Sequence, residues 1–330
     1  MMNMIHNKNI LITGGAGFIG SHLCEEVIRK KPASLIVVDN LYLGKESNLQ
    51  EAKIAFPKLK FYQVSILQKA KLKSLMIQHK IDIVFNLAVV PLPASLKYPQ
   101  ITFRVNVQGT QNICELLREG LFKTLIHCSS SEVYGTARYV PMDEQHPFMP
   151  STPYAASKAG ADQLCLSYVK TFDCDIRIVR PFNNYGPRQN EKAYAGIIPI
   201  VIQRVMKQRS IEIFGDGEQT RDFIFVKDTV KAIVTVAQHP GMKGQVINIA
   251  SGKEISVKGL VSVVMKALKA ENVPVVFCEP RPGDVRRHRA DTKLAKKLIA
   301  FRMSTPFKDG IKETVEWYIK RGRVLKVKGR

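Results

Sequence analysis

Two kinds of segment alternate along residues 9–180 of this chain. Short, nearly continuous apolar runs predict buried strands. The longer stretches between them carry apolar residues every three or four positions and predict amphipathic helices. Strands that alternate with helices usually pair in parallel and are covered on both faces, so the pattern predicts an α/β fold with a doubly wound parallel sheet. Strands are predicted over 9–13, 35–39, 60–64, 82–87, 124–129 and 175–180, and helices over 19–30, 67–79, 102–119 and 154–172.

The pattern becomes less regular after residue 180. Residues 181–222 are rich in Asn, Gly, Pro and Gln and contain one predicted helix, near 198–207. We therefore expect a first domain of residues 1–180, to which 223–249 returns, and a smaller α/β C-terminal domain of 181–222 and 250–330. The elements predicted beyond residue 222 are helices over 228–238, 257–270 and 307–319, and a strand over 245–249.

Composition excludes several classes of protein. Of the 330 residues, 45% are hydrophobic and 24% are charged, which is ordinary for a globular chain and excludes wholesale disorder, collagen and coiled coil as the main architecture. The formal net charge of +22 gives a surface that attracts anions. Because the cations are scattered, a solvated basic surface is the simpler interpretation. The tail 320–330, with six basic residues and no acid, is expected to fray.

Cysteine usage and the chain's ends favour a cytoplasmic protein. The six cysteines are irregularly spaced and form no CxxC pair, so reduced thiols are expected. The N-terminus lacks a signal-peptide layout, and no apolar run approaches the roughly 18 residues of a membrane span. His127 and His288 have no partners at metal-ligand spacing, and we interpret them as a strand and a loop residue. No metal site is predicted.

A glycine-rich turn lies between the first predicted strand and helix. Residues 10–20 read ILITGGAGFIG, in which Gly14, Gly17 and Gly20 fit GxxGxxG. Glycines there permit a tight turn and let backbone N–H groups approach a pyrophosphate at the helix N-terminus. Asp39 ends the second strand 19 residues after Gly20. A carboxylate there accepts hydrogen bonds from the adenosine ribose and repels a 2′-phosphate, which favours NAD over NADP. A simple turn residue is the alternative for Asp39.

A tyrosine and a lysine occur four positions apart in PYAASK. Tyr154 and Lys158 therefore share a face of the predicted helix. A tyrosine of ordinary pKa, about 10, is a poor base at neutral pH, but a nearby ammonium favours the phenolate. The pair can then take a proton from a hydroxyl while hydride leaves the same carbon. An exposed helix face is the alternative, and the glycine loop and the serine-rich strand end SSSEVYG before it favour catalysis.

Together these motifs resemble the extended branch of the short-chain dehydrogenase/reductase superfamily, which acts on nucleotide sugars. The resemblance covers residues 10 to about 318 and rests on TGGAGFIG, VVDN, NVQGT, SSSEVYG, PYAASK and RPFNNYGPRQ. It implies a Rossmann-type NAD-binding domain and a C-terminal domain that binds the nucleotide sugar. It also implies NAD as cofactor, a nucleotide-sugar substrate, and a homodimer formed through helices near 102–119 and 154–171. Neither nucleic acid nor a membrane is expected as a partner.

The resemblance also implies three sets of site residues. On the cofactor side, Ser65 stands where many relatives carry an aspartate that contacts the adenine. On the substrate side, the guanidinium groups of Arg221 and Arg281 would bind the diphosphate. The cofactor set is Gly14, Gly17, Phe18, Ile19, Gly20, Asp39, Asn40, Ser65, Ile66, Ala88, Asn106, Tyr154, Lys158 and Pro181. The substrate set is Pro91, Ser95, Ser131, Asn183, Arg221 and Arg281, and the catalytic set is Ser130, Glu132, Tyr154 and Lys158.

Glu132 bears most directly on the reaction. The resembling 4,6-dehydratases and uronate decarboxylases carry a glutamate at this position, and 4-epimerases usually do not. Once C4 of the sugar is a ketone, the C5 proton is acidic, so a carboxylate can remove it while the 6-hydroxyl leaves. Ser131 stands where dTDP-glucose dehydratases have an aspartate that acts as the general acid. Because this aspartate is missing, the chain resembles GDP-mannose and UDP-N-acetylglucosamine 4,6-dehydratases more closely. Glu132 itself could return the proton to O6.

These residues predict an NAD-dependent nucleotide-sugar 4,6-dehydratase that acts on a hexose such as that of UDP-N-acetylglucosamine or GDP-mannose. A 4-epimerase is the nearest alternative, because it needs the loop and the Tyr154–Lys158 pair but not Glu132. A uronate decarboxylase is less favoured, since the flanks of Tyr154 differ from that family's. A non-catalytic dinucleotide sensor is the alternative from another class, and the intact pair argues against it.

Overall fold

The computed structural model describes residues 4–191, 195–280 and 284–328, with side chains to residue 321. Its strands are β1 Asn9–Thr13, β2 Ser34–Asp39, β3 Leu59–Gln63, β4 Ile83–Asn86, β5 Thr124–Cys128, β6 Ile176–Pro181, β7 Asn183–Tyr185, β8 Ile211–Phe214, β9 Thr220–Arg221, β10 Phe223–Phe225, β11 Val246–Ile249, β12 Ile255–Ser256 and β13 Val275–Cys278. Its α-helices are α1 Phe18–Ile28, α2 Gln50–Ala55, α3 Lys69–Gln78, α4 Leu92–Ser95, α5 Pro99–Phe103, α6 Gly109–Arg118, α7 Pro153–Phe172, α8 Ile197–Met206, α9 Val226–Gln238, α10 Val257–Leu268, α11 Lys293–Ile299 and α12 Phe307–Lys328.

Seven strands form one parallel sheet in the order β11-β6-β5-β4-β1-β2-β3. Every position of β5 and β6 is buried, as expected for parallel strands covered by helices on both faces. All seven strands were predicted to within one residue, and the Rossmann-type α/β fold is confirmed. The strand order reverses between β1 and β4, and a ligand-binding crevice is expected there, beyond the carboxyl ends of the strands.

The predicted helix 102–119 is present over 99–118, but one turn in its middle is not α-helical. Two α-helical pieces, α5 and α6, are joined by a single π-helical turn, Arg104–Gln108. Asn106 lies in this turn, where its buried amide donates to Val90 O and Ser157 Oγ and accepts from Val90 N. Such turns widen a helix locally, and hydrophobic periodicity does not reveal them.

The C-terminal end also differs from expectation. Helix α12 continues to Lys328, past the predicted end at 319, so most of the basic tail that was expected to fray is helical. The sequence pattern also missed α2, α4 and α11 and the six short strands outside the large sheet, because these elements are too short to show a period.

A second, smaller core lies between α8, α10 and α12. It is built from buried side chains such as Tyr185, Ile202, Leu260 and Ile311. Three two-stranded sheets surround it, β7–β10, β8–β13 and β9–β12. Strand β11 pairs with β6, so the chain returns to the large sheet before it enters α10. The exact division into domains stays a prediction. None of the helices in the described ranges is long and apolar enough to cross a membrane.

Arg177 ties β6 to the end of α9 and generates the first prediction. Its side chain is 2% exposed, pairs with Asp175 at 2.8 Å, and donates through Nη1 to the carbonyls of Val236, Ala237 and His239. Arg177→Met would leave these acceptors buried and unpaired, so we expect the free energy of unfolding to fall by about 3–5 kcal/mol. Urea denaturation measures the loss.

The control is Arg29→Met, which removes a largely exposed cation paired with Glu26. Its expected cost is under about 1 kcal/mol. Equal costs for the two variants would contradict the role assigned to Arg177.

Candidate active site

A cleft with a cavity volume of about 420 Å³ opens at the carboxyl ends of the large sheet's strands. Its walls are the β1–α1 turn, the ends of β2, β4 and β5, the N-terminal turn of α7 and the chain after β6. Every predicted cofactor residue except Asn106 lines it: Gly14, Gly17, Phe18, Ile19, Gly20, Asp39, Asn40, Ser65, Ile66, Ala88, Tyr154, Lys158 and Pro181.

The β1–α1 turn packs so closely that it requires glycine. Gly14 has φ +66°, and a Cβ there would lie 2.8 Å from the Ala88 backbone nitrogen at the end of β4. A Cβ on Gly20 would lie 2.2 Å from the Gly14 carbonyl oxygen. The first turn of α1 therefore presents bare backbone to the cleft, and its free N–H groups suit an anion such as a pyrophosphate.

Asp39 joins the glycine turn to the loop after β2. Its carboxylate accepts from Ala16 N at 3.1 Å and from Leu41 N at 2.8 Å, and a Cβ on Gly44 would lie only 2.8 Å away. Burial raises the pKa of Asp39, although the two N–H donors oppose that rise. The carboxylate is thus fixed at the cleft wall, beside the helix N-terminus, where an adenosine ribose would lie.

Asn106, which was predicted to belong to the cofactor set, is not among the residues that line the cleft. Its hydrogen bonds to the Val90 backbone fix the chain after β4, and its bond to Ser157 fixes that chain against α7. Asn106 therefore holds the backbone of one cleft wall in place without lining the cleft itself. The NVQGT motif identified position 106. It did not reveal that the polar atoms of the Asn106 side chain already have hydrogen-bond partners within the protein.

Tyr154, Lys158 and Ser130 meet at the end of β5. Thr152 caps α7 through Ala155 N, and the buried Ser95 hydroxyl accepts from Tyr154 N at 3.1 Å. The hydroxyls of Tyr154 and Ser130 are hydrogen-bonded to each other. Lys158 Nζ donates to the Cys128 carbonyl at 2.6 Å. The three side chains thus face one point of the cleft.

Burial opposes the expected activation of Tyr154. It raises the pKa of the phenol, and the Ser130 hydrogen bond offsets this only in part. Burial also lowers the pKa of the Lys158 ammonium. Desolvation of each group thus opposes its charged form, and the expectation that Lys158, with NAD⁺ nearby, favours the phenolate stays a prediction.

Glu132 lies on a short helical turn directly after Ser130. The Ser130 hydroxyl accepts from Glu132 N at 3.2 Å and caps the 3₁₀ turn Ser131–Tyr134. This serine therefore both caps a turn and contacts Tyr154. Glu132 is half-buried and is not part of the cleft lining. Burial raises the pKa of its carboxyl, and the nearby Arg221 guanidinium opposes the rise.

The predicted substrate residues are not all at the cleft. Pro91 lines it, whereas Ser95 and Ser131 are buried outside it. Asn183 is half-buried, with its backbone N–H bonded to Asp222 O. Arg221 pairs with Asp284 at 2.5 Å, so a diphosphate would have to replace or share that partner. Arg281 lies outside the described residues.

Sequence reasoning missed part of the cleft wall. Trp317 and Arg321 of α12 line it, as do Lys45 and the residues 188–191. The quoted motif RPFNNYGPRQ ends at Gln189 and pointed toward this region. Nothing in the sequence signals that a helix more than a hundred residues later reaches the same cleft.

Comparison with known proteins assigns the family. The profile of the NAD dependent epimerase/dehydratase family matches residues 10–250. The chain belongs to this family. NAD as cofactor is thereby confirmed, and so is the predicted class of nucleotide-sugar epimerases and dehydratases.

Individual relatives catalyse different reactions at similar distances from this chain. A putative UDP-glucose 4-epimerase of Methanocaldococcus jannaschii is 34% identical over 93% of this chain and 97% of its own. A dTDP-glucose 4,6-dehydratase of an Actinoplanes species is 35% identical over 94% and 97%. The structure of UDP-glucose 4-epimerase from Thermotoga maritima with UDP-glucose covers 95% of this chain and 99% of its own, at 31% identity and TM-score 0.89. Overall sequence similarity therefore does not distinguish the 4-epimerase reaction from the 4,6-dehydratase reaction.

The glycine turn generates a binding prediction. Gly20→Ala places a methyl group where the Gly14 carbonyl lies, so the turn must move away from the cleft. We expect NAD affinity to fall at least about tenfold, a loss of about 1.4 kcal/mol or more. Isothermal titration with NAD measures the loss.

Gly160→Ala on α7 is the matched control. A Cβ there meets only Val107 Cγ2, at an ordinary 3.7 Å, so NAD affinity should be unchanged. Retained affinity in Gly20→Ala would show that the turn does not hold the cofactor.

Proposed function

We propose that this protein is an NAD-dependent nucleotide-sugar 4,6-dehydratase. The observation that carries the proposal is the place of Glu132, a half-buried carboxylate on the turn that Ser130 caps and close enough to Tyr154 to raise the pKa of its phenol. A 4-epimerase has no step that needs a second base there, whereas a dehydratase must remove a proton from C5.

Tyr154 is the proposed acceptor of the proton from the sugar 4-hydroxyl. Ser130 is proposed to form hydrogen bonds with both the Tyr154 hydroxyl and the sugar 4-hydroxyl. Bound NAD would supply the hydride acceptor for oxidation at C4 and the hydride donor for reduction at C6. Because burial raises the pKa of Tyr154, positive charge must be close when the proton moves. Lys158, held on the Cys128 carbonyl, provides one such charge, and a cationic nicotinamide provides another.

Glu132 is the proposed base at C5. Its raised pKa suits both halves of an elimination, because a carboxyl with a pKa nearer neutrality takes a proton and gives it up again readily. Ser131 has no acidic proton to offer. The proton taken from C5 therefore passes from Glu132 to O6, which leaves as water, and one carboxylate serves as base and then as acid.

The proposed substrate is a nucleoside diphosphate hexose, such as UDP-N-acetylglucosamine or GDP-mannose. Arg221, Asn183 and Arg281 are proposed to hold its diphosphate, and Pro91, Ser95 and Ser131 to border its sugar. Arg221 lies close enough to act on the pKa of Glu132. Binding of a diphosphate at Arg221 would therefore place the sugar near this carboxylate.

A 4-epimerase is the second candidate. Two observations favour it: no acid neighbours Glu132 at position 131, and relatives such as the Methanocaldococcus jannaschii protein are described as epimerases. In that reaction the 4-keto sugar turns over and the hydride returns to C4.

Mass spectrometry in deuterated water separates the two reactions. We expect incubation with NAD and UDP-, GDP- or dTDP-hexoses to give a product lighter by one water, with carbon-bound deuterium, because C5 takes its new hydrogen from solvent. A product of unchanged formula without carbon-bound deuterium would establish the epimerase instead.

Glu132→Gln tests the assigned base in the same assay. Loss of a general base typically costs about 10²–10⁴-fold, so we expect water loss to fall at least a hundredfold. Oxidation at C4 should persist and be visible as enzyme-bound NADH absorbance. The control is Glu313→Gln, at a largely exposed residue paired with Lys227. Full turnover by Glu132→Gln would show that Glu132 is not the base.

The proposal includes a homodimer formed through α5, α6 and α7. Its support is a set of exposed apolar side chains beside these helices, among them Phe103 with 60% and Ile101 with 46% exposure. Monomeric proteins seldom leave such patches in water. We expect Phe103→Glu to convert a dimer to a monomer in sedimentation velocity, because each subunit would then bury a charge in the interface.

Ile54→Glu is the control for the dimer. Ile54 is 74% exposed on α2, away from these helices. It should leave the sedimentation coefficient unchanged. A monomeric parent protein, or a dimer that survives Phe103→Glu, would contradict the proposed interface.

A further inference from the structure

The segment Pro187–Glu191, of which residues 188–191 line the cofactor cleft, is held by contacts on both sides. On the α1 side, the His22 ring nitrogen Nε2 lies 3.0 Å from Pro187 O, and Arg188 Nη2 lies 2.6 Å from Glu25 Oε1. On the opposite side, Tyr318 Oη of α12 donates to Gln189 O at 2.6 Å. The segment therefore spans from the glycine turn to the last helix.

At the end of this segment, Glu191 lies between two cations. Its Oε1 is 3.5 Å from Lys45 Nζ and 3.2 Å from Arg321 Nε. Lys45 follows the Asp39 loop and is fixed by its N–H bond to Ala16 O in the glycine turn. Arg321 is fixed by the Trp317 ring, whose centroid is 5.0 Å from the guanidinium carbon. One carboxylate thus joins opposite walls of the cleft.

We propose that Lys45, Glu191 and Arg321 form a clasp that controls how fast NAD leaves the protein. All three side chains line the cleft, Lys45 after the Asp39 loop and Arg321 on α12, so their ion pairs narrow its mouth between these two walls. Opening that mouth requires Glu191 to part from both cations. The inference rests on NAD binding, which the family shares, and is independent of which sugar reaction follows.

A clasp also agrees with the chemistry of the family. In the dehydratase and in the epimerase alike, the hydride taken from C4 is given back to the sugar before product leaves. The cofactor ends each turnover in the form in which it began, so slow release of NAD does not limit turnover.

Glu191→Gln distinguishes a clasp from a simple charge effect, because the two predict opposite signs. A carboxylate in the cleft wall repels an anionic cofactor, so neutralising Glu191 by itself would slow the release of the cofactor. The same change breaks both ion pairs of the clasp and would speed release. The direction of change in the dissociation rate therefore decides between them.

The experiment follows displacement of NADH, a fluorescent form of the cofactor, from the full chain by excess NAD. Trp317 is the chain's single tryptophan and lines the cleft, so energy transfer from it to NADH reports occupancy. We expect Glu191→Gln to release NADH about three- to tenfold faster, as the loss of two partly exposed ion pairs allows. Slower or unchanged release would overturn the clasp.

Glu46→Gln is the matched control. Glu46 lies next to Lys45 in sequence and pairs with Lys53, but it does not line the cleft. Its dissociation rate should equal that of the parent protein. Added salt should also speed NADH release from the parent, since it screens partly exposed pairs, and should affect Glu191→Gln less. Equal salt dependence in both proteins would also overturn the clasp.

Discussion

One buried ion pair holds the parts of the candidate active site in a common frame. The Asp162 carboxylate accepts from Arg180 Nε at 2.8 Å, and both side chains are almost completely buried. Asp162 lies on α7, about two helical turns after Tyr154. Arg180 lies on β6 and also donates to the hydroxyl of Tyr134, which ends the Glu132 turn. Because loss of either charge would leave the other buried without compensation, the helix, the strand and the turn cannot shift independently.

Buried polar side chains continue from this pair across the sheet to the cofactor cleft. His127 Nε2 on β5 lies 3.8 Å from Asp162 Oδ1, and burial keeps the pKa of this histidine well below its usual value, so the ring is neutral. Its other nitrogen faces the Asn86 amide of β4 at 3.3 Å. Asn86 in turn accepts from the hydroxyl of Thr13, the last residue of β1 before the glycine turn. The sheet interior, and not the loops, therefore sets the distance between the cofactor turn and the helix of Tyr154.

The features of the fold and the site that depend on a few neighbouring residues were predicted from the sequence. The features that depend on tertiary contacts were not. The large strands, the turn at Gly14 and the Tyr154–Lys158 face follow from short windows, because sterics and periodicity act over a few residues. Asn106 was assigned to the cofactor because its motif borders the cleft, whereas its polar atoms are used on Val90 and Ser157. The rise in the pKa of Tyr154 depends on burial, which spacing does not measure. Likewise, α12 reaches the cleft only because the smaller core packs it there.

The large positive charge of the chain is not concentrated at the cleft. Four cations line the cleft in the part of the chain that the structure describes. Lys45 and Arg321 share Glu191, Arg188 pairs with Glu25 and Glu51, and Lys158 donates to a backbone carbonyl. An anionic cofactor therefore meets cations that are already engaged, and its pyrophosphate depends on the bare N–H groups at the start of α1. Cations that are paired with carboxylates hold parts of the protein together more than they attract ligands. The surplus charge accordingly lies outside the cleft, where a solvated basic surface remains its simplest interpretation.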